Sequence, residues 1–334
     1  MHLVLTASMV LLTLGLASAD PANAQELNSK AVKAQDLTTW QTLNRDGIQA
    51  YEAGKYDAAE KFHLAAIREA EKFSEASPRL ATSLSNLGTL YAAKGRYKAA
   101  ETLLKRAVAI YEKSLGTDDP ETALTLINLG SVYYDQGLYA DAEVVYKRSL
   151  STLEKASGPK HPALATAFNN LAEVYRSQGK YADAEALYMR ASVILEKLPG
   201  EERHLASTLN NLGLLYAVQN RNLEAEVLHI RALEIWGKTV GAGHPEVGAG
   251  LNNLAELYFK QGRYVEAKPL YDRSVTILEE TLGPDHPHVA KVLYNLALLH
   301  YAQGNSAEAE AILRKLEKAE KYNLHSDPPV TPAS

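Results

Sequence analysis

The stretch FNNLAEVYRSQGKYADAEALYMRA at residues 168–191 returns in nearly the same words as LNNLAELYFKQGRYVEAKPLYDRS at residues 251–274. The Asn that precedes Leu in these copies recurs as Asn86, Asn128, Asn170, Asn211, Asn253 and Asn295, at spacings of 42, 42, 41, 42 and 42 residues. A second series follows it: Gly95, Gly137, Gly179, Asn220, Gly262 and Gly304. A third is an Ala-Glu pair that starts at Ala100, Ala142, Ala184, Ala225 and Ala309. All three series lose one residue at the same place, between the fourth and fifth copies. A divergent earlier copy, with Gly47 and Gly54, brings the count to seven units. Such a period means one supersecondary unit stacked on itself, because a single unit cannot bury its own apolar faces.

Each unit reads as two helices. In the fourth, Leu164, Phe168, Leu171, Ala172 and Tyr175 form one apolar stripe at helical spacing. After Gly179 a second stripe runs through Ala184, Tyr188, Ala191 and Leu195. Gly179 falls where the first helix stops and the chain reverses, a position that takes a left-handed conformation. The fifth unit has Asn220 there, the next most tolerant residue. Pro78, Pro120, Pro162, Pro245 and Pro287 mark helix starts, where the missing N–H costs nothing. The fifth unit has Arg203 instead and a shortened linker, so that joint is expected to be the least regular. Small residues at fixed positions, such as Ala184 and Ala191, let helices approach closely. The expected fold class is therefore all-α. Its units span about 38–75, 76–117, 118–159, 160–200, 201–242, 243–284 and 285–322. Residues 25–37 read as a polar, frayed or weakly helical segment, and 323–334 as a disordered Pro-rich tail.

Composition narrows the function. Of 334 residues, 46% are hydrophobic and 22% charged, usual for a folded soluble chain. The formal charge of −5 offers no polyanion-binding surface, so nucleic acid is not an expected partner. Cysteine is absent, which excludes disulfides and thiol chemistry. Residues 3–16 are mostly apolar and are followed by Ala17-Ser18-Ala19 and Ala22-Asn23-Ala24, both of A-x-A form. The expectation is a signal peptide over residues 1–24, with cleavage after Ala19 as the alternative. An exported, periplasmic or secreted protein with no integral membrane segment would follow.

The pattern N-L-[AG]-x-x-Y-x-x-x-G-x-Y-x-x-A-E-x-L-Y-x-R-[AS] resembles the tetratricopeptide repeat. The 42-residue length and linkers such as LGPDHPHVA at residues 282–290 resemble its kinesin light chain subtype. The resemblance covers about residues 38–322 and implies a right-handed α-α superhelix, a solenoid of about seven helix-turn-helix repeats. The leader, and the missing coiled-coil segment before the repeats, depart from motor-associated light chains and point to a bacterial exported form. The family implies protein or peptide binding and no cofactor.

In helical arrays the first helix of each unit lines the concave face. Asn170 lies about 240° round its helix from Leu164, off the apolar stripe. In arrays that this one resembles, that Asn holds the backbone of an extended peptide, since an amide pairs with both C=O and N–H. Two roles stand open for it: groove binding, or a hydrogen bond within the array. The expected groove comprises Asn86, Asn128, Asn169, Asn170, Asn210, Asn211, Asn252, Asn253 and Asn295. Arg176, Lys291 and Tyr294 would tune its specificity. The alternative is a structural or assembly protein of the cell envelope, acting through the convex face or the array ends.

An enzyme is not expected. His161, His244 and His286 occupy equivalent linker positions, a repeat apart. His286, His288 and Asp285 cluster around Pro287, but a solvated linker explains them, and no metal site is expected. No metalloprotease, nucleophile-elbow, P-loop or dinucleotide-binding motif appears.

Overall fold

The structure, a computed structural model, describes residues 21–324 apart from 75 and 160. The leader expected at 1–24 lies outside the described residues up to Asp20, and so does the tail from His325. The chain divides into two compact units, at Ile110 and Tyr111.

The first unit holds α1 (Pro21–Glu52), α2 (Tyr56–Glu71), α3 (Pro78–Ala93) and most of α4 (Tyr97–Ser114). Ala50, Ala59, Leu87 and Leu90 are buried together, with Tyr51, Phe62 and Tyr91 packed against them. The indole N–H of Trp40 donates to Ser83 Oγ at 2.9 Å. The segment 25–37, expected to be frayed or weakly helical, is helical throughout and continuous with the rest of α1.

The second unit contains five helix pairs. They are α5 (Pro120–Asp135) with α6 (Tyr139–Ser157), α7 (Pro162–Ser177) with α8 (Tyr181–Leu195), and α9 (Glu202–Val218) with α10 (Asn222–Thr239). The last two are α11 (Pro245–Lys260) with α12 (Tyr264–Leu282), and α13 (Pro287–Ala302) with α14 (Ser306–Leu324). The first helices α5, α7, α9, α11 and α13 touch in succession. Among the described residues, the backbones of successive second helices stay further apart, and long side chains bridge them. In this unit the first helices therefore form the tighter, inner wall, and the second helices splay on the outer one.

Local chemistry explains the boundaries. Gly95, Gly137, Gly179, Gly262 and Gly304 all have positive φ, and Asn220 is the one non-glycine residue among those described that does, at φ 61°. Ser77, Asp119, His161, His244 and His286 each accept from the N–H two residues on, with Pro at the first helical position. The three histidines, read from the sequence as equivalent linker positions, are N-caps acting through Nδ1 at 3.2 Å. The helix α9 starts at Glu202 with neither Pro nor side-chain cap, the irregular joint foreseen at Arg203.

Neighbouring pairs are held by a recurring three-residue clamp. Tyr175 and Lys180 donate to Glu143 of the preceding pair, at 3.4 and 3.1 Å. Tyr216 and Arg221 both donate to Glu185 at 2.8 Å, and Tyr258 and Arg263 to Glu226 at 2.8 and 2.7 Å. Arg221 and Arg263 also lie over the rings of Tyr216 and Tyr258, at 3.6 and 3.9 Å. In the first unit Tyr91 and Arg96 clamp Glu60 in the same way, at 2.9 and 3.1 Å. The glutamates respond. Hydrogen bonds from Lys147, and then from Lys180, hold Glu143 down at about 2, and Arg263 lowers Glu226. On the outer wall, Arg190–Glu154, Arg231–Glu196 and Lys315–Glu279 pair across joints at 2.8–2.9 Å, and Arg148 pairs with Glu112.

Ala184 is fully buried in the core that also holds Tyr188, Leu212, Leu215 and Tyr216. Ala184→Leu is expected to lower unfolding free energy by about 1–3 kcal/mol through overpacking, read from a urea titration followed by circular dichroism.

Candidate binding surface

The asparagines stand on the inner wall, and most are tied to one another. Asn253 Nδ2 donates to Asn210 Oδ1 of the preceding pair at 3.2 Å, and Asn295 Nδ2 donates to Asn252 Oδ1 at 3.0 Å. Within the first unit, Asn86 Nδ2 donates to Asn44 Oδ1 at 2.8 Å. In these three links the Asn before Leu donates to the residue one place earlier in the previous unit. Asn210 and Asn252, the acceptors, are buried, and Asn210 Oδ1 also takes a bond from His229 Nδ1 at 3.0 Å. These amides serve as links between repeats, one of the two roles left open by the sequence.

Two joints depart from this pattern: between α5 and α7 the acceptor position holds Ile127, and at the next joint the acceptor is present but unused. Asn169 Oδ1 is buried and has no hydrogen-bond partner, so the bond expected from Asn211 is missing. This is the joint between α7 and α9, where the repeat is one residue short and α9 starts with neither Pro at its first position nor a side-chain cap. Asn170 and Asn211 are half-buried, and Asn170 hydrogen-bonds the Tyr146 hydroxyl. Asn128 is also half-buried on α5 and is engaged by a neighbour.

The residues expected to set specificity divide. The Arg176 guanidinium is bound by Glu173, with Nη2 to Oε2 at 2.7 Å, and Glu173 also accepts from the Tyr188 hydroxyl. Arg176 is therefore a neutralised cation. Lys260 is likewise paired with Glu256 at 2.7 Å. On α13, Lys291, Tyr294, Leu298 and Tyr301 are exposed, and Tyr294 is 52% accessible.

The outer wall carries a feature that the sequence reading missed. Met189, Leu223 and Val227 are 51, 80 and 64% exposed. They border a 470 Å³ groove between α8 and α10, floored by Leu209, Leu212 and Tyr216 of α9. The positions equivalent to Met189 hold Lys105, Lys147, Asp272 and Arg314 in four units, and Leu64 and Ile230 in two others. Among the described residues no helix is long and apolar enough to cross a membrane.

The tetratricopeptide repeat pattern matches residues 41–113, 80–155, 121–197, 205–246 and 246–319. No curated protein matches the chain in sequence. Among solved structures, the chain resembles a putative kinesin light chain with nearly identical tetratricopeptide-like repeats from Podosopora anserina. Identity there is 25%, the TM-score is 0.51, and the match covers 61% of this chain and 98% of that one. BtubC (BKLC) from P. vanneervenii is 20% identical with a TM-score of 0.58, covering 71% of this chain and 96% of that one. The apo form of RapI shares the fold at 16% identity and a TM-score of 0.65, covering 85% and 98%. The repeat pattern and the paired helices agree, and the chain belongs to the tetratricopeptide repeat family, with repeats of the kinesin light chain kind.

Proposed function

We propose that this protein is a non-enzymatic interaction scaffold that holds an extended peptide segment on the inner wall of its second unit, centred on α7 and α9. The observation that carries the reading is the orphaned amide acceptor Asn169 Oδ1 beside the unlinked Asn211. At the joints where the amides bond each other they are occupied. At this joint a peptide N–H would satisfy Asn169, and its C=O would accept from Asn211, without reading side chains. An orphaned buried acceptor costs about 1–3 kcal/mol, which a bound backbone would recover. The expected leader extends the proposal to an exported, periplasmic or secreted protein.

The exposed apolar groove between α8 and α10 favours a second reading, association through the outer wall. A random peptide library displayed on phage separates the two. Selection on the wild-type chain should enrich peptides whose binding falls at least tenfold on Asn169→Ala/Asn211→Ala and is unchanged on Leu223→Glu/Val227→Glu. The reverse pattern would move the site to the outer wall.

A further inference from the structure

The clamp that joins successive pairs is missing at the last joint, and all three of its members have changed together. Where Glu143, Glu185 and Glu226 stand in earlier pairs, α12 has Lys268. Where Tyr175, Tyr216 and Tyr258 stand, α13 has His300, and where Lys180, Arg221 and Arg263 stand, Asn305 follows. Lys268 turns instead to Asp272 on its own helix, at 2.7 Å. His300 is 9% exposed, and its Nδ1 is buried with no partner. Pro269 follows Lys268 inside α12 and removes a helical hydrogen bond at the same place. The third pair departs only in part: it keeps Tyr133 and has Leu138 at the cation position.

We infer that α13 and α14 form an end-piece that opens and closes on α11–α12 while the preceding pairs stay folded. Contacts in a repeat array are local, so the stability of each joint is set by its own interface. The last joint keeps the Asn295–Asn252 link and the Lys315–Glu279 pair, so it closes in the correct register. It lacks the charged bonds that fix the turn ends of α7, α9 and α11. Opening would break the Asn295–Asn252 bond and present the Asn252 amide and the α11 face, which makes the last joint a gate on the inner wall.

Hydrogen exchange of the full chain, read by mass spectrometry, tests this. Amides of α13 are expected to exchange at least tenfold faster than those of α9 and α11. Ends of arrays fray in any case, so two grafts decide the cause. Lys268→Glu/His300→Tyr/Asn305→Arg installs the clamp and should slow α13 exchange at least tenfold. Glu226→Lys/Tyr258→His/Arg263→Asn moves the last joint's residues one joint earlier and should make α11 to α14 open together. Equal protection of α13 and α11 in the wild type would overturn the inference. So would exchange at α11 that is unchanged in the second graft, which holds whether or not the first graft folds.

Discussion

Tyr188→Ala is expected to lower the unfolding free energy by about 4 kcal/mol, the largest single effect in the second unit. Tyr188 is fully buried on α8, in one core with Ala172, Leu212, Leu215 and Tyr216, so it links α7 to α9. Truncation leaves a ring-sized cavity between two pairs, and the helices cannot collapse into it without shifting the repeat. The loss has a polar part as well. Burial and the adjacent Glu173 push the Tyr188 phenol up, so it remains a donor to Glu173 at all working pH values. Its removal returns that burden to Arg176 alone. Urea unfolding followed by circular dichroism reads the loss, and Tyr188→Phe divides it, since that variant keeps the ring and loses only the hydroxyl.

Acid is expected to weaken the second unit through His229. This side chain is 1% exposed and lies under Gly213, whose missing Cβ makes room for the ring. A Cβ at Gly213 would stand 3.0 Å from the ring, just as one at Gly130 would meet the Tyr146 ring at 2.6 Å. Asn210 Oδ1 accepts from Asn253 and faces His229 Nδ1, which assigns the proton to Nδ1 and leaves Nε2 buried and unpaired. Burial lowers the imidazole to about 4, against a smaller opposing effect of Glu256. The unfolded chain therefore takes up a proton near pH 6.5 that the folded chain refuses until about pH 4. Stability is full above 6.5 and falls through that window, by about 3 kcal/mol in all. Glu143 and Glu226 act at lower pH: with Glu143 at about 2 and Glu226 lowered by Arg263, their contribution is present above the ordinary carboxylate range and goes as pH falls from there. His229→Phe fills the same space with no proton to bind. The difference in urea midpoint between wild type and His229→Phe should shift steadily between pH 7 and 4, and a constant difference would show that His229 does not titrate there.

The fold was legible because its signals are local. Periodic apolar stripes, Pro at helix starts and Gly or Asn220 at the turns each act within a few residues, and the structure uses each in that way. The histidines before Pro162, Pro245 and Pro287 were placed in the linkers and not read as caps, because His is an unusual cap. The inter-pair contacts were less legible. The Ala-Glu series served to count repeats, yet its Glu is the acceptor of a clamp whose donors lie 31–37 residues on. The angular position of Asn170 placed it off the apolar stripe, but whether such an Asn meets a partner depends on how the next first helix crosses it. That crossing made the Asn253–Asn210 and Asn295–Asn252 links, and it left Asn169 unpaired at the one joint of altered length.

The most direct test of the scaffold reading is hydrogen exchange of the chain with and without a peptide enriched from the displayed library. Binding on the inner wall predicts new protection in α7 and α9 around Asn169 and Asn211, with α8 and α10 unchanged. Protection confined to α8 and α10, around Met189 and Leu223, would contradict it and assign the asparagines wholly to holding the repeats together.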